Sequence, residues 1–233
     1  MAAKKTMHKK DVFQTDELFS FWERVQAYVG ENMRQLAAIG LIICVIVGGV
    51  FLWKTNRTKA ENESLSLFYR AMNIMNAESK DALDKEVRYG QALAEFKDIS
   101  RKYSGTAAGA SAFYYAGNCS YHLKKYDEAI TYYKDFLDKA GSTSNYLKPF
   151  AYESIGYAYE EKGQYKEALV WFEKQKNQEQ GQTNPAVLLN IARCYEADGS
   201  RERACQLYRE YIEKHPKASY SDLAKVKIAD LCE

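Results

Sequence analysis

Three stretches of this chain superpose in one register, and that repetition constrains the fold more than any other feature. "YDEAITYYKDF" (Tyr126 to Phe136) lines up with "YKEALVWFEKQ" (Tyr165 to Gln175), and "FYYAGNCSYHL" upstream of the first lines up with "YESIGYAYEEK". A third copy reads "LLNIARCYEADGSRERACQLYREYIEKHP" and ends at Pro216. Gly117, Gly156 and Ala192 fall together, spaced by 39 and 36 residues. Ala129, Ala168 and Ala204 follow twelve residues later, and Tyr133, Phe172 and Tyr208 four residues after those. A unit of this length cannot bury its own apolar face. It must stack on its neighbours, so the period predicts an array.

Within each unit, small and large residues recur at helical spacing. Small side chains let two helix backbones approach, and the large ones fill the space around the crossing. The chain has only three prolines, Pro149, Pro185 and Pro216, and each marks a unit boundary. The linkers "AGSTSNYLKP" and "QKNQEQGQTNP" are rich in Gly, Ser, Asn and Gln. The pattern resembles the tetratricopeptide repeat (TPR) family. There position 8 is small, position 20 is Ala, position 24 is aromatic and position 32 is often Pro. Two departures stand out. Arg201 replaces the tyrosine of Tyr126 and Tyr165. The position that is normally Ala holds Phe136, Gln175 and Tyr211, which predicts looser or altered packing there.

The flanks extend the array. "QALAEFKDISRKYSG" reads as the second helix of an earlier unit, with "SLSLFYRAMNIMNA" as its first helix. "SYSDLAKVKIADLCE" reads as a lone helix that shields the last apolar face, as such stacks require. The expected units are about 60–109, 110–148, 149–184 and 185–216, with a capping helix over 217–233, in a repeat domain of 60–233.

One segment is not globular. Residues 36–53, "LAAIGLIICVIVGGVFLW", run without a charge. As a helix they span about 27 Å, close to a bilayer's apolar thickness. Their Leu, Ile, Val and Phe residues favour insertion by roughly −3 to −7 kcal/mol. The 35 residues ahead are too many for a cleaved signal, and no small-x-small site follows. Ile43 before Cys44 is wrong for a lipoprotein. A permanent anchor is expected, with Trp53 at the interface. Residues 1–35 form a tail in which Leu18, Trp22, Val25, Val29 and Met33 recur helically. Thr15 is expected to cap that helix. It either lies on a membrane or partner surface or merely leads into the span. Lys54, Arg57, Lys59 and Arg70 follow the span, against Arg24 and Arg34 before it, which slightly favours a cytoplasmic repeat domain. Long domains cross largely regardless of charge, so orientation stays open on this count. The fold class is therefore all-α: one N-terminal transmembrane helix, then a TPR-like α-solenoid of antiparallel helix pairs.

Catalytic and metal-binding signatures are missing from the sequence. The formal net charge of +2 argues against nucleic acid as a partner. Cys119 and His122 lie one helical turn apart, but zinc usually takes four ligands, so packing is the expected role and no metal or other cofactor is expected. Gly-x-Ser-x-Gly, phosphate-loop and His-Glu-x-x-His motifs do not occur. Glu160 and Glu161 point about 100° apart on a helix, which does not make a carboxylate pair. Cys194 and Cys205 fall at one level of one unit. They are read either as a disulfide in an oxidising compartment or as free buried thiols.

The resemblance implies a binding groove lined by the first helices. Carried over residue by residue, it is Ser111, Tyr114, Asn118, Tyr121 and His122, then Phe150, Glu153, Tyr157, Glu160 and Glu161, then Ala186, Leu189, Arg193, Glu196 and Ala197. Tyrosine offers apolar area and a hydroxyl with few soft torsions, which suits peptide or loosely folded chain. The clamp for a C-terminal carboxylate needs Lys where Tyr114 stands, so that ligand is not expected. The layout as a whole resembles the YfgM-like ancillary subunits of the bacterial Sec translocon. That resemblance implies an inner-membrane protein with a cytoplasmic tail and periplasmic repeats. It implies the translocon subunits, a peptidyl-prolyl isomerase-type chaperone and emerging polypeptides as partners. A tethered receptor facing the cytosol and an envelope-assembly adaptor are the alternatives.

Overall fold

Frequent Ala, Leu, Glu and Lys and few helix breakers favour helix nearly throughout. The computed structural model describes residues 9–78, 81–178 and 184–232, which form nine α-helices. They are α1 (Lys9–Asn76), α2 (Ala82–Lys102), α3 (Ala107–His122), α4 (Tyr126–Lys139), α5 (Lys148–Glu161), α6 (Tyr165–Gln178), α7 (Ala186–Ala197), α8 (Arg201–Lys214) and α9 (Ser221–Leu231). A 3-10 turn, Ser142–Leu147, precedes α5. The chain divides into two units at Asn56–Arg57.

In the first unit, α1 is already helical from Lys9, so Thr15 lies inside the helix and does not cap it. Its apolar stretch reaches a mean hydropathy of 2.7, and none of it is buried. Leu41, Val45 and Phe51 are each 68% exposed. This helix is long and apolar enough to cross a membrane.

In the second unit, helices pair and stack in sequence. Residues 57–76 of α1 pack against α2, where the Phe68 and Phe96 rings meet edge to face at 5.5 Å. Then follow the pairs α3–α4, α5–α6 and α7–α8, and α9 closes on α8. Local signals set the helix starts. Asp81 accepts from the Asp84 amide at 2.8 Å, Thr106 accepts from the Gly109 amide at 2.9 Å, and Pro149 sits in the first turn of α5.

The predicted register is physically present. A Cβ on Gly117 would lie 2.5 Å from the Tyr133 ring, and one on Gly156 would meet the Phe172 ring under 3.0 Å. Ala192 is fully buried in one cluster with Tyr208. At the two glycines the aromatic ring thus occupies the space that a side chain would need. The clusters then link each second helix to the next first helix. Ala129, Ile130 and Tyr133 meet Ile155 and Ala158, while Ala168 and Phe172 meet Val187, Ile191 and Cys194.

The substituted Ala position departs from expectation. Phe136, Gln175 and Tyr211 are 0%, 1% and 1% exposed. Large residues are swallowed there, not loosened. The tight turns inside the pairs place Gly163 and Gly199 at φ +70° and +82°. Lys124 holds the same place at φ 58°. That backbone costs a non-glycine residue roughly 1–2 kcal/mol.

The cysteine pairing also differs from the sequence reading. Cys205 is disulfide-bonded to Cys232, with Cα atoms 5.8 Å apart, and Cys194 is free and buried. The reason is directional. Cys194 on α7 faces back toward Phe172 of α6, whereas Cys205 on α8 faces forward onto α9.

Gly117→Val should lower the unfolding free energy by about 2–3 kcal/mol, because overpacking costs typically 1–3 kcal/mol and valine is a poorer helix residue than alanine. Gly90→Ala, at a helical site with nothing within 4 Å of the added carbon, should instead gain about 0.5–1 kcal/mol. Urea unfolding of both variants checks the opposite signs.

Candidate functional site

Helices α3, α5 and α7 carry the residues of the expected groove. On the α3–α5 part of this face lies a cleft of about 240 Å³ lined by Asn118, Tyr121, His122, Tyr133, Ser154 and Tyr157. Four of these are residues that the repeat pattern places in the groove. Tyr133 belongs to the packing positions of that pattern, yet its hydroxyl reaches the cleft floor and donates to Asn118 Oδ1 at 2.8 Å. That bond uses the amide oxygen, while the Asn118 amide also hydrogen-bonds the Tyr114 hydroxyl. Ser154 escapes the sequence reading because its position in the unit is normally counted outside the groove. Its hydroxyl lies within hydrogen-bonding reach of both Tyr114 and Tyr133.

The other expected residues are mostly engaged with one another. Tyr157 donates to Glu153 Oε1 at 3.2 Å and accepts from Asn190 Nδ2 at 3.1 Å. Asn190 Nδ2 also reaches Glu153 Oε1 at 3.1 Å. Arg193 grips Glu160 with two nitrogens, the Nη2–Oε2 distance being 2.8 Å. Asn190 is only 3% exposed, so these bonds tie α5 to α7. Tyr126 and Tyr121 both donate to Glu161, at 3.1 and 3.5 Å. Glu196 accepts from Tyr208 at 2.9 Å and from Lys227 of α9 at 2.6 Å.

Tyr114 is half-buried among Tyr115, Tyr133 and Phe136, with ring centroids 5.3–5.7 Å apart. Phe150 is 50% exposed, outside the cleft. Leu189 is 7% exposed and packs with the residues that meet α9, so it is core, not groove lining.

Burial sets the electrostatics. It pushes the Tyr121 and Tyr157 hydroxyls up to about 12, with Glu161 and Glu153 as the next causes. These groups are neutral donors and acceptors at any physiological pH. Burial likewise raises the Cys119 and Cys194 thiols to about 12, which makes both poor nucleophiles. His122 stacks on Tyr89, with ring centroids 4.4 Å apart and 15° between planes. Burial, then Lys85, lowers its pKa. Among the described residues, no group of three or more His, Cys, Asp or Glu side chains could hold a metal.

The fold and this face define a helical-repeat binding scaffold, and comparison with known proteins names the repeat. Three tetratricopeptide-repeat profiles match residues 81–145, 151–177 and 186–218, together more than half of the chain. The chain belongs to the tetratricopeptide-repeat family. No curated protein matches it. Among solved structures it is similar to the TPR-like repeats of a Podosopora anserina kinesin light chain, with a TM-score of 0.55 and 13% identity over 71% of this chain and 83% of that one. A point variant of those repeats gives the same figures. A MamA double mutant from RS-1 gives 0.51 and 14%, over 74% and 94%. These likenesses speak to the fold alone.

The His122 ring should titrate below 6.5 in the folded chain. A depressed pKa means that the folded state binds fewer protons than the unfolded one. The stability held by neutral His122 is therefore complete above pH 6.5 and lost as the pH falls from there through the lower folded-state pKa. NMR of the His122 ring protons reads the midpoint, which should move up toward 6.5 in Lys85→Gln.

Proposed function

We propose that the protein is a non-enzymatic, membrane-anchored scaffold that holds unfolded or emerging polypeptide in its first-helix groove. The observation that carries this is the open cleft at Asn118, Tyr121, Ser154 and Tyr157. It offers uncharged hydrogen-bonding groups beside aromatic surface, a combination suited to main chain and mixed side chains, with no feature demanding one sequence. The apolar stretch of α1 supplies a single-pass anchor through residues 36–53.

The repeats face the bacterial periplasm in this reading, with the N-terminus in the cytoplasm. Support comes from the Cys205–Cys232 disulfide, since such bonds form and persist in oxidising compartments. The positive charges after the span, Lys54, Arg57 and Lys59, lean the other way. A domain of this length crosses largely regardless of them. The whole layout resembles the YfgM-like family, which supports the Sec translocon, its peptidyl-prolyl isomerase partner and emerging chains as the company this protein keeps.

A photoreactive side chain at Ser154 of the full chain in living cells should capture translocon subunits and secretory chains in transit. Capture of lipid alone, or of nothing, removes the groove reading. Protease added outside spheroplasts should digest the repeats, and alkylation before reduction should leave Cys205 and Cys232 unlabelled. Protected repeats with both thiols labelled would place the domain in the cytosol.

A further inference from the structure

His122 lines two clefts at once. On one side is the tyrosine cleft described above. On the other is a cleft of about 380 Å³ between the first turns of α2 and the end of α3, lined by Ala82, Lys85, Glu86, Tyr89, Leu123 and Lys124. His122, stacked on Tyr89, is the residue common to both linings. A chain lying in the groove and extended past His122 therefore enters a second compartment.

That compartment is cationic. Lys85 Nζ sits 5.9 Å from the centre of the Tyr89 ring, and Lys124 joins it in the lining. Among the described residues, neither lysine has a carboxylate within salt-bridge distance. Glu86 is the one acidic residue in the lining. Lys124 also stands where the following two units place Gly163 and Gly199, in backbone that disfavours any side chain. A lysine thus occupies a left-handed position in the lining of this cleft.

The α5 side of the tyrosine cleft carries the other sign. Glu153 and Glu161 face it from α5, and both accept bonds only from neutral groups, tyrosine hydroxyls and an asparagine amide. Between α2 and α5 the groove thus changes sign, positive beside α2 and negative beside α5.

We propose that this polarity selects and orients the bound polypeptide, seating an acidic side chain or acidic end against Lys85 and Lys124. The neutral stretch next to it then lies over Tyr121 and Tyr157. This inference rests on the groove reading above and adds to it a charge preference and a direction. Exposed charges steer association and discriminate partners more than they add affinity.

The test uses the full chain in detergent micelles and three labelled twelve-residue peptides of one neutral, tyrosine-containing sequence. One carries two aspartates at one end, one carries two lysines there, and one is uncharged. At low salt the acidic peptide should bind at least fivefold tighter than the basic one, and the gap should shrink at high salt. Lys85→Glu with Lys124→Glu should reverse the order while the uncharged peptide binds as before. Lys124→Gly, which relieves the backbone and removes the charge, should narrow the preference without loss of folding. Equal affinity for all three peptides overturns the charge inference and leaves the groove standing. Failure of all three to bind overturns both.

Discussion

A ring pressed against a missing side chain holds the array together. Tyr133 lies over Gly117, Phe172 over Gly156 and Tyr208 beside Ala192. Fully burying an aromatic or large aliphatic side chain is worth about 1.5–3 kcal/mol, but only where the backbones come close enough to exclude water. The small residue permits the approach and the ring profits from it. Because the ring also touches the next unit, each pair is completed by its successor. Tyr133 joins Ile155 of α5, and Phe172 joins Val187 of α7. Stability in such a stack is shared between neighbours, which is why the last apolar face needs α9 and why a disulfide and the Lys227–Glu196 pair fasten it there.

The helix pairing was legible because it depends on side-chain size, and size is written in the sequence. A glycine, an alanine and an aromatic at fixed offsets have few other uses when they recur. Directions were harder. Cys194 and Cys205 share a level in one unit, yet one faces backward and the other forward, and residue spacing does not distinguish these. Phe136, Gln175 and Tyr211 suggested looser packing by their bulk, whereas all three are buried in full. Thr15 looked like a helix start because a capping residue was followed by acids, but helix continues through it from Lys9.

The groove was legible in outline only. The repeat pattern names which residues face inward, and it brought Asn118, Tyr121, His122 and Tyr157 to one cleft. It carries no information on which of those residues are already satisfied. Glu153, Tyr157, Asn190, Arg193 and Glu160 form one hydrogen-bonded set between α5 and α7, and only coordinates reveal that the partner of Glu160 is Arg193 of the next unit. Ser154 and Tyr133 were missed for the converse reason. Each sits in a packing position whose polar tip happens to reach the cleft.

This division of labour shortens the binding surface. At the two positions nearest the end of each first helix the units carry Tyr121 and His122, then Glu160 and Glu161, then Glu196 and Ala197. Passing along the array, the polar groups are progressively spent on the protein itself. Glu160 holds Arg193, and Glu196 holds Tyr208 and Lys227. Leu189 is sealed against the capping helix contacts. A buried polar group already bonded gains little from a ligand and loses its own partner if displaced. Open recognition capacity is therefore concentrated between α2 and α5. There Lys85 of α2 and Lys124 lack acidic partners among the described residues, and the His122 ring lines two clefts.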